Sequence, residues 1–337
     1  MQEDANLLLG LTAENSFEPW RIPHDPRASL QDLFYCFRLL LGRSPHPQEW
    51  TGHSLRAGED LAQVVASYVN SLEFSRRGLL DRDYASRVEL VEIEGFRLYV
   101  PTDDLDVGRY VRRGQYEPHV TTVFRRLLQP GMSVVDLGAN IGYFTMLSAS
   151  IVGRHGHVLA VEPNPRNVRY LEASRRINAF DHVTVAQTAA GPDVGLLALH
   201  ASRSNGTTSN LPENLSEIFG CETVLALPVD RLLRDPGRVH LIKVDVEGAE
   251  YRALRGCREL IRRDRPAIVS EFNPDLLPEM SSIGAEGYLR FFVDRDYRLG
   301  VIEPDGSITE HGKDTASVLA RHKSEGTDHI DILAVPR

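Results

Sequence analysis

The sequence of 337 residues predicts an α/β protein in which a small helical domain precedes a mostly parallel sheet. From about residue 133 onward, apolar strand-like runs alternate with helix-like segments, an order typical of a parallel sheet covered on both faces. Between residues 30 and 72, by contrast, apolar residues recur every three to four positions, as they do in amphipathic helices. A strand, a glycine-containing turn and a helix at 133–152 mark the place where such a sheet would bind a ligand.

We expect three segments along the chain. Residues 1–26 contain several prolines and little periodicity, which predicts an irregular arm. Residues 27–84 form a helical module, and residues 85–337 form the α/β domain. The helices expected in the module cover about 30–41, 47–55 and 60–72.

The α/β domain begins with a predicted hairpin over about 88–100 and a helix over 116–128. A polar stretch at 200–222 is its longest insertion, and we expect a loop there that acts as a lid or as a substrate-binding segment. The remaining elements alternate along the chain. Strands are expected at 133–138, 157–162, 183–188, 240–246, 266–272, 297–303 and 329–335, and helices at 142–152, 165–178, 248–263 and 283–294.

Composition excludes several classes of protein. The hydrophobic share of 42% and the charged share of 25% are those of a globular protein, and the formal net charge of −9 argues against a broad nucleic-acid surface. The three cysteines are too far apart for a metal site or a disulfide framework. The N-terminus lacks the positive start of a signal peptide, and no apolar run approaches the ~18 residues of a membrane span. We expect a cytoplasmic protein that binds neither membrane nor nucleic acid.

The turn after the first sheet strand carries the clearest ligand-binding pattern. The strand runs into Asp136, a turn of small residues follows with Gly138 and Asn140, and Gly142 opens a helix. Free N–H groups at a helix start and bare glycine backbone let a ligand lie against the main chain. These four residues are therefore predicted to bind a nucleoside cofactor.

The acidic residues favour S-adenosylmethionine over a dinucleotide. A dinucleotide fingerprint would have glycine where Asn140 stands, and Asp136 would repel a pyrophosphate but suits a ligand with an ammonium and a sulfonium. The next strand ends at Glu162, about 20 residues beyond the turn, where a ribose-binding carboxylate is usual. We expect Glu162 to hold the ribose hydroxyls, with Asn164 beside the adenosine.

Candidate catalytic groups follow the fourth and fifth strands. Asp245 and Glu271 each end an apolar run, and Asn273 comes two residues after Glu271. Since neighbouring parallel strands end at one sheet edge, these three side chains could converge near a methyl group as ligands of Mg²⁺. A metal-free site, in which Asp245 or Glu271 orients or deprotonates the acceptor, is the preferred interpretation.

Three further residues are candidates with competing interpretations. Glu247 lies in a strand-to-helix turn, where it can stabilise the helix N-terminus or face the substrate. His200 and Asn205 belong to the polar insertion, and the alternative to a lid or substrate-binding role is a flexible surface loop. His200 is considered as a base, and Asn205 as a substrate contact.

The α/β domain, from about residue 88, resembles the FkbM family of S-adenosylmethionine-dependent methyltransferases. The resemblance rests on motifs in order: Gly114-Gln-Tyr116-Glu117-Pro118, Val135-Asp136-Leu-Gly-Ala-Asn-Ile-Gly142, Val161-Glu162-Pro163-Asn164-Pro165, Val229-Asp230-Arg-Leu-Leu, Ile242-Lys243-Val-Asp245-Val-Glu247-Gly248-Ala-Glu250 and Pro266-Ala-Ile-Val-Ser-Glu271. It implies a class I, Rossmann-like methyltransferase fold with a seven-stranded, mostly parallel sheet, and O-methylation of hydroxyls on natural products, sugars or glycans.

The family resemblance also implies roles for residues outside the central motif. Tyr116 and Glu117 would close over the methionine end of the cofactor. Many members have Ala-Leu-Ser-Asp beside the adenine, where this chain has Thr188-Ala-Ala190-Gly. Backbone amides and apolar packing around Ala190 would therefore replace side-chain recognition of the base.

The helical module resembles the DUF4214 domain. Leu41-Gly42-Arg43 and Asn70-Ser71-Leu-Glu73-Phe74 stand at the separation of that domain's motifs. The resemblance implies little chemistry. Packing against its neighbour and binding of a partner, a carrier-bound substrate or a second copy of the chain are both open.

The sequence thus predicts an S-adenosylmethionine-dependent methyltransferase that acts on a small-molecule or glycan hydroxyl by in-line methyl transfer. An N- or C-methyltransferase is the alternative within the class. Outside the class, a non-catalytic protein that keeps the cofactor fold for binding or assembly is considered, although intact Asp136 and Glu162 argue against it. Asn140 and Asp136 likewise disfavour a nicotinamide-dependent oxidoreductase.

Overall fold

A computed structural model describes residues 25–77, 88–202, 204–214, 217–218, 221–233 and 237–337. The chain divides into two compact units, residues 1–85 and 86–337. The arm expected over residues 1–26 lies almost entirely outside the described residues, and so does the expected boundary at residue 84.

The first unit is a group of short helices around a small apolar core. Its first helix is capped by Ser29, which accepts the amide of Asp32, and changes at Cys36 from α to π geometry. Gly42 ends this helix in the left-handed region, with φ 71°. The helices are α1 (Leu30–Tyr35), the π-helix (Cys36–Leu41), α2 (Pro47–His53), α3 (Leu61–Val69) and α4 (Leu72–Arg76).

Arg43 joins three segments of this unit. Its guanidinium donates to Glu49 at 2.8 Å and to Glu73 at 2.9 Å, so one side chain ties the end of the π-helix to α2 and α4. Arg43 holds the pKa of Glu49 at about 2. The motifs Leu-Gly-Arg and Asn-Ser-x-Glu-Phe therefore meet in space, which gives their separation in the sequence a structural reason.

The second unit is built on a long sheet. Among the described residues this sheet has eight strands, in the order β13-β12-β14-β11-β10-β3-β4-β5, with parallel pairing from β11 through β5 and antiparallel pairing at the other end. Its strands are β3 (Ser133–Leu137), β4 (His157–Val161), β5 (Val183–Ala186), β10 (Val239–Val244), β11 (Ala267–Phe272), β12 (Tyr297–Ile302), β13 (Ile308–Gly312) and β14 (Ile330–Pro336).

The predicted sheet has seven strands, whereas the described sheet has eight, because β13 is an additional edge strand. No strand is expected at 303–312, because this stretch is mostly polar, and an edge strand outside the core needs little apolar surface. In the structure Glu303 and Ser307 close the turn, and β13 pairs with β12. The class of fold, a large and mostly parallel sheet with helices, is confirmed.

The first half of the insertion expected as a loop at 200–222 belongs to a second sheet. This sheet has the order β6-β9-β7-β8, with β6 (Ala189–Ala190), β7 (Gly195–Ser202), β8 (Asn205–Asn210) and β9 (Glu222–Leu227). Leu197 and Leu199 point into a small apolar cluster, whereas Leu196 is exposed. The apolar run Leu196–Leu199 of β7 is visible in the sequence. Its partner strand β8 is short and polar, however, and gives no sequence signal of a strand.

Helices cover the long sheet on both faces. They are α5 (Gly108–Arg112), α6 (Pro118–Leu127), α7 (Tyr143–Val152), α8 (Pro165–Ile177), α9 (Glu250–Arg255), α10 (Arg258–Asp264), α11 (Leu277–Ser281), α12 (Ala285–Val293) and α13 (Thr315–Glu325), and a hairpin of β1 (Val88–Ile93) and β2 (Phe96–Pro101) precedes them. None of the described helices has the length and apolar character needed to cross a membrane.

The single helix expected over 248–263 is two helices. Asp230 accepts the amides of Glu259 and Leu260 and so caps the start of α10. Gly256 lies between α9 and α10, where a Cβ atom would come within 2.2 Å of the carbonyl oxygen of Gly191. The apolar periodicity continues through the break, which is why the sequence predicts one helix.

Candidate active site

A cavity of about 410 Å³ lies at the carboxyl ends of the parallel strands. The turns after β3, β4, β10 and β11 contribute to its wall, together with the β7–β8 hairpin and the segment that leads into α6. A parallel sheet binds its ligands at this edge. The elements of the second unit thus place most, but not all, of the predicted site residues around one volume.

Asp136 is buried at the end of β3 with half of its carboxylate unsatisfied. Thr145 donates to Oδ2 at 2.6 Å, and Oδ1 has no partner among the described residues. Burial raises the pKa of Asp136. The side chain faces a small pocket that shares Tyr116, Gly138 and Asn140 with the main cavity. An unsatisfied, buried carboxylate oxygen of this kind suits a cationic ligand group.

Glu162 holds two turns of the site together. Its Oε2 accepts the amide of Asn140 at 2.8 Å, and its Oε1 accepts the amide of Asn164 at 2.8 Å. The side chain lines the cavity, and burial raises its pKa to about 7 despite these bonds. Asn164 also lines the cavity and caps α8 by accepting the amide of Arg166.

Asn140 connects the turn after β3 to the β7–β8 hairpin. It adopts a left-handed backbone with φ 51°, and its side-chain amide donates to the carbonyl of Ser204 and to Oδ1 of Asn205, each at 3.2 Å. Asn167 donates to the same Ser204 carbonyl at 2.7 Å. The hairpin therefore forms part of the cavity wall, and Asn205 lines it as predicted for a substrate contact.

Ala190 lines the cavity as a predicted cofactor residue should, whereas Gly142, predicted for the same role, is not among its lining residues. Gly142 precedes α7 with φ 99° and packs against Leu171, so that a Cβ atom there would be 3.0 Å from the leucine side chain. Ala190 lines the cavity next to Ala189, in a short strand that pairs with β9. The small side chains leave an apolar surface beside Glu162.

Tyr116 and Glu117 line the cavity where α6 begins. Tyr116 packs its ring against Tyr143 and Phe144, at centroid distances of 5.1 and 6.0 Å. Burial raises the pKa of Glu117 to about 7, although Lys243 opposes the shift. Glu117 has φ 37°, which turns the chain sharply into Pro118.

Lys243 is a buried cation among these carboxylates. Its ammonium donates to Asp245 at 2.7 Å and lies 4.8 Å from the centre of the Phe144 ring. Burial lowers the pKa of Lys243, but Asp245, Glu117 and Asp136 outweigh it and keep the amine charged. The ammonium thereby offsets part of the negative charge behind the cavity.

Asp245, Glu247 and Glu271 line the cavity at the ends of β10 and β11. Burial and the neighbouring Asp245 raise the pKa of Glu271 to about 10, so this carboxyl is protonated at neutral pH. Burial also raises the pKa of Glu247. Glu250 instead turns inward and accepts the amides of Val246 and Gly248.

Asn273 and His200 are not among the residues that line the cavity. The side-chain oxygen of Asn273 accepts the amides of Asp275 and Leu276, which follows from its position at the start of a helical turn. His200 points outward from β7 to Ser209, because alternate residues of a strand face opposite sides. Neither residue is placed to act on a substrate in this cavity.

The ligand set predicted for Mg²⁺ is not assembled. Asp245 is bonded to Lys243, and the side-chain oxygen of Asn273 accepts backbone amides. Among the described residues, no group of three or more histidine, cysteine, aspartate or glutamate side chains is arranged to hold a metal ion.

Sequence reasoning missed several residues of the cavity wall. His119 and His329 line it, and the Nε2 atom of His119 lies 2.7 Å from Asp331. Asp106 and Tyr110 contribute from the segment before α6. These residues lie outside any motif. His329 reaches the site because it immediately precedes β14, which pairs with β11.

Comparisons with known proteins identify the central segment. Residues 136–299 match the Methyltransferase FkbM domain. Over 98 residues, which are 26% of this chain and 44% of the relative, the sequence is 29% identical to the protein-L-isoaspartate O-methyltransferase of Methanothermobacter thermautotrophicus. The chain thus spans less than half the length of this curated relative.

Two solved structures of methyltransferases are among those similar to this chain. A methyltransferase FkbM from Methylobacillus flagellatus is 16% identical, with a TM-score of 0.39 and coverage of 89% of this chain and 58% of that one. An O-methyltransferase from Bacillus cereus in complex with SAH is 14% identical, with a TM-score of 0.38 and coverage of 71% and 84%.

Proposed function

Because residues 136–299 form an FkbM methyltransferase domain, we propose that this methyltransferase transfers the methyl group of S-adenosylmethionine to a hydroxyl of a sugar, glycoside or other natural product. S-adenosylmethionine supplies an electrophilic methyl group on a sulfonium that leaves readily. The protein has to bind it, align an acceptor oxygen with the S–CH₃ bond and exclude water. Orientation of this kind can lower the barrier by ~7–11 kcal/mol.

The unsatisfied Oδ1 of Asp136 carries the cofactor assignment. A buried carboxylate with one free oxygen is costly unless a ligand satisfies it, and the ammonium of a methionine moiety is a suitable donor. Gly138, with φ 78°, places bare backbone next to this oxygen. The residues present therefore fit the methionine end of the cofactor.

The adenosine end fits the opposite part of the cavity. Glu162 faces it as a ribose partner, and Ala189 and Ala190 offer a flat apolar surface for a base. The oxygens of Glu162 already accept backbone amides, which fixes their direction. Oε1 also accepts the side-chain amide of Asn167 at 3.3 Å, so it is the second lone pair of Oε2 that can accept a ribose hydroxyl.

The acceptor end is rich in carboxyl groups, namely those of Glu117, Asp245, Glu247 and Glu271. An anionic acceptor would be repelled there, whereas the hydroxyls of a neutral sugar can donate to ionised carboxylates and accept from protonated ones. This supports a polyhydroxylated, uncharged acceptor. A basic nitrogen acceptor would also suit these charges, so N-methylation is the second candidate.

The test is methyl transfer to a defined panel. The protein is incubated with S-adenosylmethionine and with matched pairs, such as methyl glucoside and its 2-amino analogue, and S-adenosylhomocysteine and methylated products are measured by mass spectrometry. Oxygen-methylated product from the wild type, lost in Asp136→Asn, is the expected result. Nitrogen methylation of the amino analogue alone would overturn the hydroxyl assignment. Binding of S-adenosylhomocysteine without transfer to any member would favour a binding or assembly role.

A further inference from the structure

His119, which is paired with Asp331, lies on the wall of the cavity. His119 is in the first turn of α6, and Asp331 is the second residue of β14. Nε2 of the imidazole is 2.7 Å from Oδ2 of Asp331, and the ring also lines the cavity. Asp331 thus occupies Nε2, and no hydrogen bond of Nδ1 is present among the described residues.

The pair lies at the acceptor end of the cavity. Asp331 is directly opposite Glu271 in the β11–β14 register, and β11 is the neighbour of β10, which Asp245 follows. With strands about 4.8 Å apart, Asp331 is roughly 10 Å from Asp245 across the sheet. Asp136 is on the far side, because β3 is the other neighbour of β10. His119 therefore approaches a bound acceptor from the side away from the methionine pocket.

Two carboxyl groups near His119 are already engaged, so neither is a ready proton acceptor. Glu271 is already protonated at neutral pH, because burial and Asp245 raise its pKa to about 10. Asp245 is held by the Lys243 ammonium at 2.7 Å. A histidine whose second nitrogen is fixed by a carboxylate is, by contrast, a common general base.

Resting on the proposed methyl transfer to a hydroxyl, we propose that His119 is the general base of the reaction and that Asp331 is its positioning residue. The acceptor O–H gives its proton to Nδ1 of His119 as the oxygen bonds to the methyl carbon. The carbon–sulfur bond breaks, and its electron pair stays on sulfur, which becomes the thioether of S-adenosylhomocysteine. The imidazolium then releases the proton to water.

The charges around the imidazole set its pH dependence. Glu117 comes from the same segment, Asp331 and Glu271 from β14 and β11, and Asp245 and Glu247 from the turn after β10, while His329 is the other histidine of the wall. The hydrogen bond to Asp331 raises the pKa of His119 against the opposing effect of burial, and Glu117 adds to the increase. Transfer should therefore increase with pH until His119 is neutral, above the usual range of histidine.

The pair is tested with full-length His119→Asn and Asp331→Asn, and with His155→Asn at an exposed site as the matched control. Histidine titration is followed by NMR on ¹³C-histidine protein saturated with S-adenosylhomocysteine, and the resonance missing in His119→Asn assigns His119. We expect a pKa above 6.5, lowered by about one unit in Asp331→Asn. Calorimetry should give unchanged S-adenosylhomocysteine affinity in all three variants.

On an acceptor found with the panel above, His119→Asn should lower kcat by ~10²–10⁴-fold. Asp331→Asn should lower kcat less and move the rise in activity to lower pH. Wild-type kcat in His119→Asn, or a His119 pKa unchanged by Asp331→Asn, overturns the inference while the methyltransferase assignment stands. If the wild type does not bind S-adenosylhomocysteine, the proposed function itself fails.

Discussion

A Cβ atom placed on Gly138 would lie 1.8 Å from the carbonyl oxygen of Asp245. The turn after β3 and the turn after β10 are therefore in direct backbone contact, and the amide of Asp245 also donates to the carbonyl of Leu137. This contact aligns the predicted methionine pocket with the acids at the acceptor end.

Gly138→Ala should destabilise the protein and weaken the site. The methyl group would displace the Asp245 backbone, and φ 78° adds strain for any L-residue, so we expect a loss of about 2–4 kcal/mol in the free energy of unfolding. Urea denaturation measures it. Gly131→Ala is the matched control, because Gly131 has φ 86° but nothing within 4 Å of its Cβ position. Equal losses in both variants would contradict the importance of the contact.

Glu162→Gln should lower both stability and cofactor affinity. A glutamine has one carbonyl oxygen, so it cannot accept the amides of both Asn140 and Asn164, and one buried donor is left unsatisfied. Such a loss costs about 1–3 kcal/mol. Urea denaturation and calorimetry with S-adenosylhomocysteine measure the two effects. Glu172→Gln, which breaks only surface pairs with Arg175 and Arg176, should cost less than about 1 kcal/mol and leave the affinity unchanged.

The titration of Glu271 should make the ligand-free protein less stable as the pH rises. Its folded-state pKa of about 10 lies above the unfolded value, so the folded state binds more protons and stability decreases from about pH 4.5 upward. Glu271→Gln removes this titration. We expect the decrease in unfolding free energy between pH 5 and pH 8 to be smaller in the variant by an amount of order 1–3 kcal/mol. Parallel stability profiles for the two proteins would show that Glu271 is ionised when folded.

Arg43→Ala should loosen the helical unit without affecting the cavity. Glu49 and Glu73 would lose their shared guanidinium, and their mutual repulsion would remain. Ion pairs this exposed to solvent contribute little to global stability, so we expect the effect to be local. Hydrogen exchange should increase in α2 and α4, while S-adenosylhomocysteine affinity stays at the wild-type value. Arg38→Ala, at an exposed residue of the π-helix, is the control and should leave exchange unchanged.

The predictable parts of this protein are those encoded over short stretches of sequence. The pattern from Asp136 to Gly142 spans one strand end, one turn and one helix start, so local rules place it at the correct sheet edge. Glu162 follows by the same rule, one strand later. The alternation of strands and helices, and hence the mostly parallel sheet, is likewise a repeated local signal.

The parts that could not be predicted depend on contacts between distant segments. His119 and Asp331 are 212 positions apart, and neither stands in a pattern that announces the other. The contact of Asn140 with Ser204 requires knowing that the polar insertion forms a hairpin. That His200 points away from the cavity depends in the same way on the register of β7, which decides which of its residues face the cavity.

The claim that Asp136 binds the cofactor can be measured by calorimetric titration of the full chain and of Asp136→Asn with S-adenosylhomocysteine. The amide keeps the shape of the carboxyl group but removes the charge that should hold the ligand's ammonium. A charged hydrogen bond worth about 1.5–3 kcal/mol corresponds to a loss of roughly 10–150-fold in affinity. We expect the wild type to bind S-adenosylhomocysteine and Asp136→Asn to lose affinity by this factor. Equal affinity in both proteins, or no binding by folded wild type, would contradict it.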